Sequence, residues 1–347
     1  MLAFGVVGVR WVADRLTPGS SAGASAEAAE TKAALAGTSD LVAAMARGVP
    51  GLSPEVTPND RFYIVSKNVI RDPSVDERSW RLEIAGLVER PMVMNYEQMK
   101  ALPGASQYFT LQCISNEVGG SLIGNALWRG VSLADLLREA GAKAGAVDVV
   151  LRAADDYVDS IPLAKALEPA TMLAYEMNGE VLPQAHGFPV RLLVPDIYGM
   201  KNVKWLTKIE VIEYDLKGYW QTRGWDDTAR MHTTSRIDLP RGSSNLTAGE
   251  NFVGGVALAG SRGIQRVEVS TDAGSTWSDA TMKPGLGPDT WVLWLHRWEL
   301  RPDDTERRIV VRATDGTGAF QSAEMRDTLP EGSSGYHAVT VRRAASP

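Results

Sequence analysis

Tyr108-Phe109-Thr110-Leu111-Gln112-Cys113-Ile114-Ser115-Asn116 is a strand-like run that carries, at its C-terminal end, the only cysteine of the chain. Upstream, Asn95–Ala101 reads as a short helix capped by Asn95. Trp80–Ile84 alternates as a half-buried strand does and stops at Gly86, and Phe62–Val65 is a further short strand. Downstream, Ser132 caps a helix over Ser132–Ala140 whose apolar positions are Leu133, Leu136 and Leu137, with Gly141 as its stop. Val147–Ala153, Val190–Val194 and Leu206–Ile212 read as strands. Strands and short helices mix without a βαβ rhythm, so the fold class expected is α+β. After Asp226 the texture changes. Phe252–Leu258, Ile264–Ser270, Thr290–Leu295 and Arg307–Ala313 are strands separated by glycine turns, with no convincing helix, which predicts a β-sandwich. The divide should fall near Thr233–Ser244, where Pro240, Gly242 and serines cluster. The division expected is 1–54, an apolar N-terminal segment and flexible linker; 55–235, a catalytic domain; and 236–347, the sandwich.

The bulk properties narrow the function classes. A chain of 347 residues suggests about two domains. An apolar fraction of 44% is enough for real cores. A net charge of −6 with scattered basic residues argues against nucleic-acid binding. One cysteine allows no internal disulfide, and a lone cysteine is more often a small buried hydrophobe than a ligand. Met1–Val9 is apolar but too short to span a bilayer, and it is followed by Arg10, Asp14 and Arg15. It reads either as the tail of a longer membrane segment or as an amphipathic helix. The first reading expects an extracytoplasmic or membrane-associated protein. Thr17–Gly37, rich in Ala, Ser, Gly and Thr, reads as the linker.

Several chemistries are missing from the sequence. There is no G-x-x-x-x-G-K-[ST] loop, no dinucleotide fingerprint, no G-x-S-x-G elbow and no H-E-x-x-H. The histidines at 186, 232, 296 and 337 are scattered, which argues against the usual zinc sites. Three blocks remain: Leu111-Gln112-Cys113-Ile114-Ser115-Asn116; Leu182 to Arg191, which contains His186-Gly187-Phe188-Pro189-Val190-Arg191; and Gly199 to Leu206, which contains Val203-Lys204-Trp205-Leu206.

In order and spacing these blocks resemble the sulfite oxidase family, which carries an L-Q-C-x-x-N setting, an H-G-F-P-x-R block and a V-K-W-L block. Tyr175-Glu176-Met177-Asn178-Gly179 also matches, and the resemblance runs from about Asp60 to the C-terminus. It implies a mixed α/β molybdopterin-binding domain, a molybdenum-molybdopterin cofactor, and Cys113 as the protein's one ligand to the metal. Soft thiolates suit such a metal. By the same resemblance His186, Arg191 and the stretch Asn202, Val203 and Lys204 contact the cofactor. Asp155 touches the pterin, and Tyr63 and Ile64 lie on the cofactor. Phe62 and Tyr63 suit an apolar core equally well. The cofactor's phosphate calls for cations, and Arg191, Lys201 and Lys204 are the expected donors; the alternative is a solvated basic surface. Ile264 through Trp277 resembles the family's immunoglobulin-like dimerisation domain, which implies a homodimer. The residues before Asp60 are too few for a haem domain, so an external electron carrier, a cytochrome or membrane partner, is expected.

The chain also departs from the family pattern. Where sulfite oxidases place an oxyanion-binding arginine in F-x-R-N-H, this chain reads Phe62-Tyr63-Ile64-Val65-Ser66-Lys67-Asn68. Glu117 and Val118 follow Asn116 where a second arginine is usual. Sulfite oxidases place an active-site tyrosine after W-Q; here Trp220-Gln221 is followed by Thr222, Arg223, Gly224 and Trp225. Counted from Lys204 without gaps, Trp225 takes the tyrosine's place as a catalytic residue with Cys113. A dianion in a closed site needs cations, and Arg129, Arg223 and Lys67 are the candidates to supply them. The expectation is therefore a small-molecule oxidoreductase with two-electron oxygen-atom transfer at molybdenum and a substrate other than sulfite. The alternative is S-oxide reduction, as in the family's methionine-sulfoxide reductases. A reading of another class, a non-enzymatic two-domain binding protein, would leave the three blocks unexplained.

Overall fold

The computed structural model describes residues 10–12 and 20–345. The apolar run Met1–Val9 lies outside them. Among the described residues no helix is long and apolar enough to cross a membrane.

Two five-stranded sheets form the first half of the molecule. In one, the central strand Ile123–Ser132 runs antiparallel to Ala105–Gln112 on one side and Met172–Met177 on the other. In the second, Leu206–Ile212 lies between Arg81–Gly86, to which it is parallel, and Asp148–Ala153, to which it is antiparallel. In the second sheet Asp148–Ala153 is covered on both faces, with Val149, Val150 and Leu151 at no exposure. Arg81–Gly86 and Leu206–Ile212 instead alternate: Leu82, Ile84, Ile209 and Val211 are buried, and Lys208 pairs with Glu83 and Glu210 on the other face. The helix Leu133–Ala140 seals this core with Leu133, Leu136 and Leu137. Its ends are those the sequence predicts, since Ser132 Oγ accepts from the Asp135 N–H and Gly141 takes the left-handed conformation. Tyr96–Ala101 carries the reciprocal bonds of a capping box between Asn95 and Gln98.

The second half is the β-sandwich. Thr234–Leu239, Gly249–Leu258, Val292–Leu300 and Thr281–Lys283 make one sheet. Asn245–Leu246, Ala338–Arg343, Glu306–Asp315, Ile264–Ser270 and Ser278–Asp279 make the other. The α+β class and the sandwich are thus as the sequence implied. The apolar core does not respect the divide, because Phe252, Val256, Trp291 and Leu293 pack in one cluster with Leu137, Leu192 and Val194. Trp291 also donates its backbone N–H to Thr110 Oγ1 at 2.9 Å and its indole N–H to the Glu55 carbonyl at 3.2 Å.

The N-terminal region needs correction. The stretch expected to be a flexible linker contains a helix, Ser21–Leu35, capped by Ser20. It docks on the sandwich. Arg241 Nε lies 2.8 Å from Glu27, Lys32 Nζ donates to Thr247 Oγ1 at 2.9 Å, and Leu35 is buried. The alanines that read as linker composition are also the best helix formers, and the few inward positions are enough to dock it. Arg10–Val12 pairs antiparallel with Ile64–Ser66.

Candidate active site

The three sequence blocks are tied to one another before any ligand is considered. After the strand Ala105–Gln112 the chain turns at Cys113, whose N–H donates to the Leu122 carbonyl at 3.0 Å. Asn116 Oδ1 accepts the Leu122 N–H at 2.8 Å, closing the loop that returns into Ile123–Ser132. The second and third blocks interlock. Lys204 Nζ donates to the Ala185 carbonyl at 3.0 Å, and the Trp205 indole to the Gln184 carbonyl at 2.7 Å. Arg191 donates Nη1 to the His186 carbonyl at 3.0 Å and Nη2 to the Asn202 carbonyl at 3.2 Å. Gly199 completes the arrangement, since a Cβ there would stand 2.9 Å from the Tyr63 hydroxyl.

These ties frame a cleft of about 950 Å³, partly open to solvent. Tyr63, Ile64, Cys113, Asp155, His186, Arg191, Asn202, Val203, Lys204 and Trp225 all line it. Lys201 does not. Its ammonium is turned away and donates to Asp159 Oδ1 at 3.0 Å, the Ser160 carbonyl at 2.7 Å and Asp227 Oδ1 at 3.2 Å. The expectation that Lys201 meets a phosphate in this cleft is therefore corrected: its three N–H donors are already spent on protein acceptors. The substrate cations proposed to compensate for missing arginines also fail to gather. Arg129 stands outside the cleft lining, 3.9 Å from Glu176, and Arg223 stacks on the Tyr219 ring at 3.6 Å. Lys67 does line the cleft, but it lies 3.6 Å from Asp155 Oδ2 and donates to the Asp155 carbonyl. Asn202 spends its side chain inward, on the Val194 N–H and the carbonyls of Ile197 and Tyr198.

Arg191 shows what the cleft would accept. The residue is buried, and among the described residues no carboxylate lies within ion-pair distance of it; its Nε has no hydrogen-bond partner. Burial pulls its pKa down to about 10. The Trp128 ring lies 5.2 Å from the guanidinium. A buried cation with a spare donor calls for an anion. Beside it, His186 Nε2 sits 3.0 Å from the Asn59 carbonyl, which can only accept, so Nε2 carries the proton and Nδ1 the lone pair. Burial, then the neighbouring Arg191 and Lys204, lower the His186 pKa to about 4, so the ring is neutral near pH 7. At the other end Cys113 Sγ lies 3.0 Å from Ser115 Oγ, and burial raises the thiol's pKa. The donor set of one thiol, one unpaired guanidinium, a neutral imidazole and a lysine fits a soft metal carried on an anionic cofactor.

The sequence reading missed Tyr157, Ser115, Met200 and Trp220 in the lining. Trp220 had a signal, in the Trp220-Gln221 pair before Trp225. Tyr157 had only its place two residues beyond Asp155.

The sandwich reaches the same neighbourhood. Ser333 Oγ donates to the Asn116 carbonyl at 2.7 Å, and the Asp226 N–H to the Pro330 carbonyl at 3.0 Å. One sandwich loop thus fastens the loop after Cys113 and the loop carrying Trp225.

Comparison with known proteins agrees with this geometry. Residues 69–220 match the oxidoreductase molybdopterin binding domain, and 225–343 match the Mo-co oxidoreductase dimerisation domain. The sulfite oxidase of Arabidopsis thaliana is 32% identical, with 78% of this chain aligned to 83% of that protein. The chain belongs to the sulfite oxidase family. Membership makes it an oxidoreductase that uses a molybdenum-molybdopterin cofactor, and it overturns the binding-protein reading. The mitochondrial sulfite oxidase of Drosophila melanogaster is 33% identical over 73% of this chain, but the match spans only 52% of that protein. The chain thus spans about half the length of the mitochondrial enzymes it matches. In fold it is similar to the sulfane dehydrogenase SoxCD of Paracoccus pantotrophus, with a TM-score of 0.72, 23% identity and 84% of each chain covered.

Proposed function

We propose that this family member performs two-electron oxygen-atom transfer on a substrate of lower charge than sulfite, with Cys113 holding the metal and Trp225 facing the reacting group. When bound, the molybdenum cofactor supplies the redox and oxygen-transfer chemistry. Arg191, His186, Lys204 and Asp155, with Tyr63, Ile64, Asn202 and Val203 around them, hold it in place. The observation that carries the reading is the character of the cleft wall: Ile64, Val65, Ile114, Met200, Trp220 and Trp225 line it, and Lys67 is matched by Asp155. The unpaired guanidinium of Arg191 answers to the cofactor's own negative charge, which leaves little to neutralise a dianion. A neutral S-oxide suits such a wall, and its reduction is the second reading, favoured by the same apolar lining.

Electrons then pass through an external one-electron carrier. The dimerisation domain supports a homodimer, and the apolar start of the chain supports an extracytoplasmic or membrane-associated setting.

The test compares substrates on purified, molybdenum-loaded protein: sulfite with an artificial oxidant, and methyl sulfoxides with a reduced dye. Turnover of S-oxides with little on sulfite is expected. Sulfite oxidation with kcat/KM of about 10⁴ M⁻¹s⁻¹ or more, the lower end for ordinary enzymes, sinks the proposal.

A further inference from the structure

A buried chain of polar side chains leads away from the cofactor cleft. Tyr157 lines the cleft, and its hydroxyl lies 2.9 Å from Asp159 Oδ2 and 2.8 Å from the Met200 carbonyl. Asp159 is fully buried, and its other oxygen accepts from Lys201 Nζ at 3.0 Å. Lys201, 3% exposed in its side chain, donates in turn to Asp227 Oδ1 at 3.2 Å. Asp227 is 33% exposed and its second oxygen meets Lys217 at 2.6 Å. Lys201, Asp227, Asp148 and Asp215 line a second, open cleft between the two halves of the molecule. Two separate clefts are thus joined by consecutive hydrogen bonds that run through Asp159 and Lys201, both buried.

We propose that Tyr157, Asp159, Lys201 and Asp227 are the route by which protons pass between the cofactor cleft and the second cleft. The inference rests on the oxygen-transfer reading above. Moving an oxygen atom from water to a substrate releases two protons with the two electrons that go to the one-electron carrier; the reverse reaction takes up both. The electrons leave by the carrier; the protons have two ways out, the mouth of the cofactor cleft and the buried chain of hydrogen bonds, and the second stays available when substrate fills the mouth. A proton reaching the Tyr157 oxygen displaces the one Tyr157 gives to Asp159. Asp159 receives the proton on Oδ2, turns its carboxyl to present it to Lys201, which faces Oδ1, and that ammonium releases a proton to Asp227, which discharges to water. Each group ends as it began, and one proton has crossed.

A clamp for the turn Gly199–Lys201 is the competing account. It needs no titratable members, since an apolar filling holds a turn as well as a buried ion pair does. Nor does it need continuity with a second cleft. Gln221 Nε2, 3.4 Å from Asp159 Oδ2, ties the same carboxylate to the loop carrying Trp220 and Trp225.

The experiment uses the molybdenum-loaded protein in weakly buffered solution with a pH indicator. Reduced methyl viologen, which gives up its electron without a proton, reduces the metal, and stopped flow records proton uptake beside the bleaching of the dye. This readout requires no substrate, so failure of every substrate assay would remove the oxygen-transfer reading while leaving the path testable. Lys201 variants risk misfolding; Tyr157→Phe and Asp227→Asn alter one polar group each. With molybdenum content unchanged, both are expected to slow proton uptake at least tenfold and to raise its solvent isotope effect. Methylammonium or imidazole should partly restore Asp227→Asn, which sits at the open end. Uptake at the wild-type rate in both variants overturns the route. A slowing that merely follows loss of metal overturns it as well.

Discussion

Arg191 carries a positive charge into the interior with two backbone carbonyls for company and, among the described residues, no carboxylate within ion-pair distance. Such a charge is costly unless an anion joins it. Arg191→Met is therefore expected to lower cofactor affinity tenfold or more, in line with the ~1.5–3 kcal/mol of a hydrogen bond to a charged group. Metal per chain by elemental analysis checks this. Cys113 gives a matching test: its thiol should resist alkylation while metal is bound and react once the metal is removed. His337 bears on stability instead. Its Nδ1 accepts the Ile237 N–H at 2.9 Å, and burial, helped by Arg236, lowers its pKa to about 4. The folded state thus binds fewer protons than the unfolded chain between about pH 6.5 and 4. Stability is complete above that window and declines as pH falls through it, by up to about 3 kcal/mol from this one group. His337→Gln, whose amide oxygen can accept the same bond without titrating, should flatten the decline. Denaturation midpoints between pH 7 and 4 measure it. Of the site residues, those in the second and third blocks were legible because the blocks lie close in sequence and tie to each other, as Lys204 does to Ala185 across 19 residues. Lys201 was misread because its partners Asp159 and Asp227 lie 42 and 26 residues away. Nothing in its own block announces them.

The elements divide along similar lines. Leu133–Ala140 and Tyr96–Ala101 begin after the caps that the sequence predicts, and Leu206–Ile212 has its expected bounds. Each signal there is local. Ser21–Leu35 was not legible as a helix, because its buried residues are only Ala24, Thr31 and Leu35 and its partners lie in the sandwich. No apolar stripe reveals it. That helix is nonetheless held from outside. Leu35→Ala should cost about 2–5 kcal/mol, the range for truncating a buried leucine, and chemical denaturation would show it. A loss under 0.5 kcal/mol would mean that the helix only rests on the surface.

At the scale of the molecule, the shared core has a consequence for unfolding. Phe252, Val256 and Trp291 from the sandwich pack with Leu137, Leu192 and Val194 from the cofactor half. Separating the halves would expose that cluster. The protein without cofactor should therefore melt in one calorimetric transition, with equal calorimetric and van't Hoff enthalpies. Two resolved peaks would show that the halves are independent. The sandwich was legible because its strands and glycine turns recur at short spacing. The continuity of the core was not, since no pattern within either half records which of its faces meets the other.

The loop that sends Ser333 to the Asn116 carbonyl and Pro330 to the Asp226 N–H bears on how this architecture can be inherited. A module can be traded between lineages only if its neighbour works without it. Here the part named for dimerisation also fastens the two loops that flank the reaction centre. A recombinant that joined this cofactor half to a sandwich without that loop would keep every ligand and lose the fastening, so the loop makes the two halves one unit of descent.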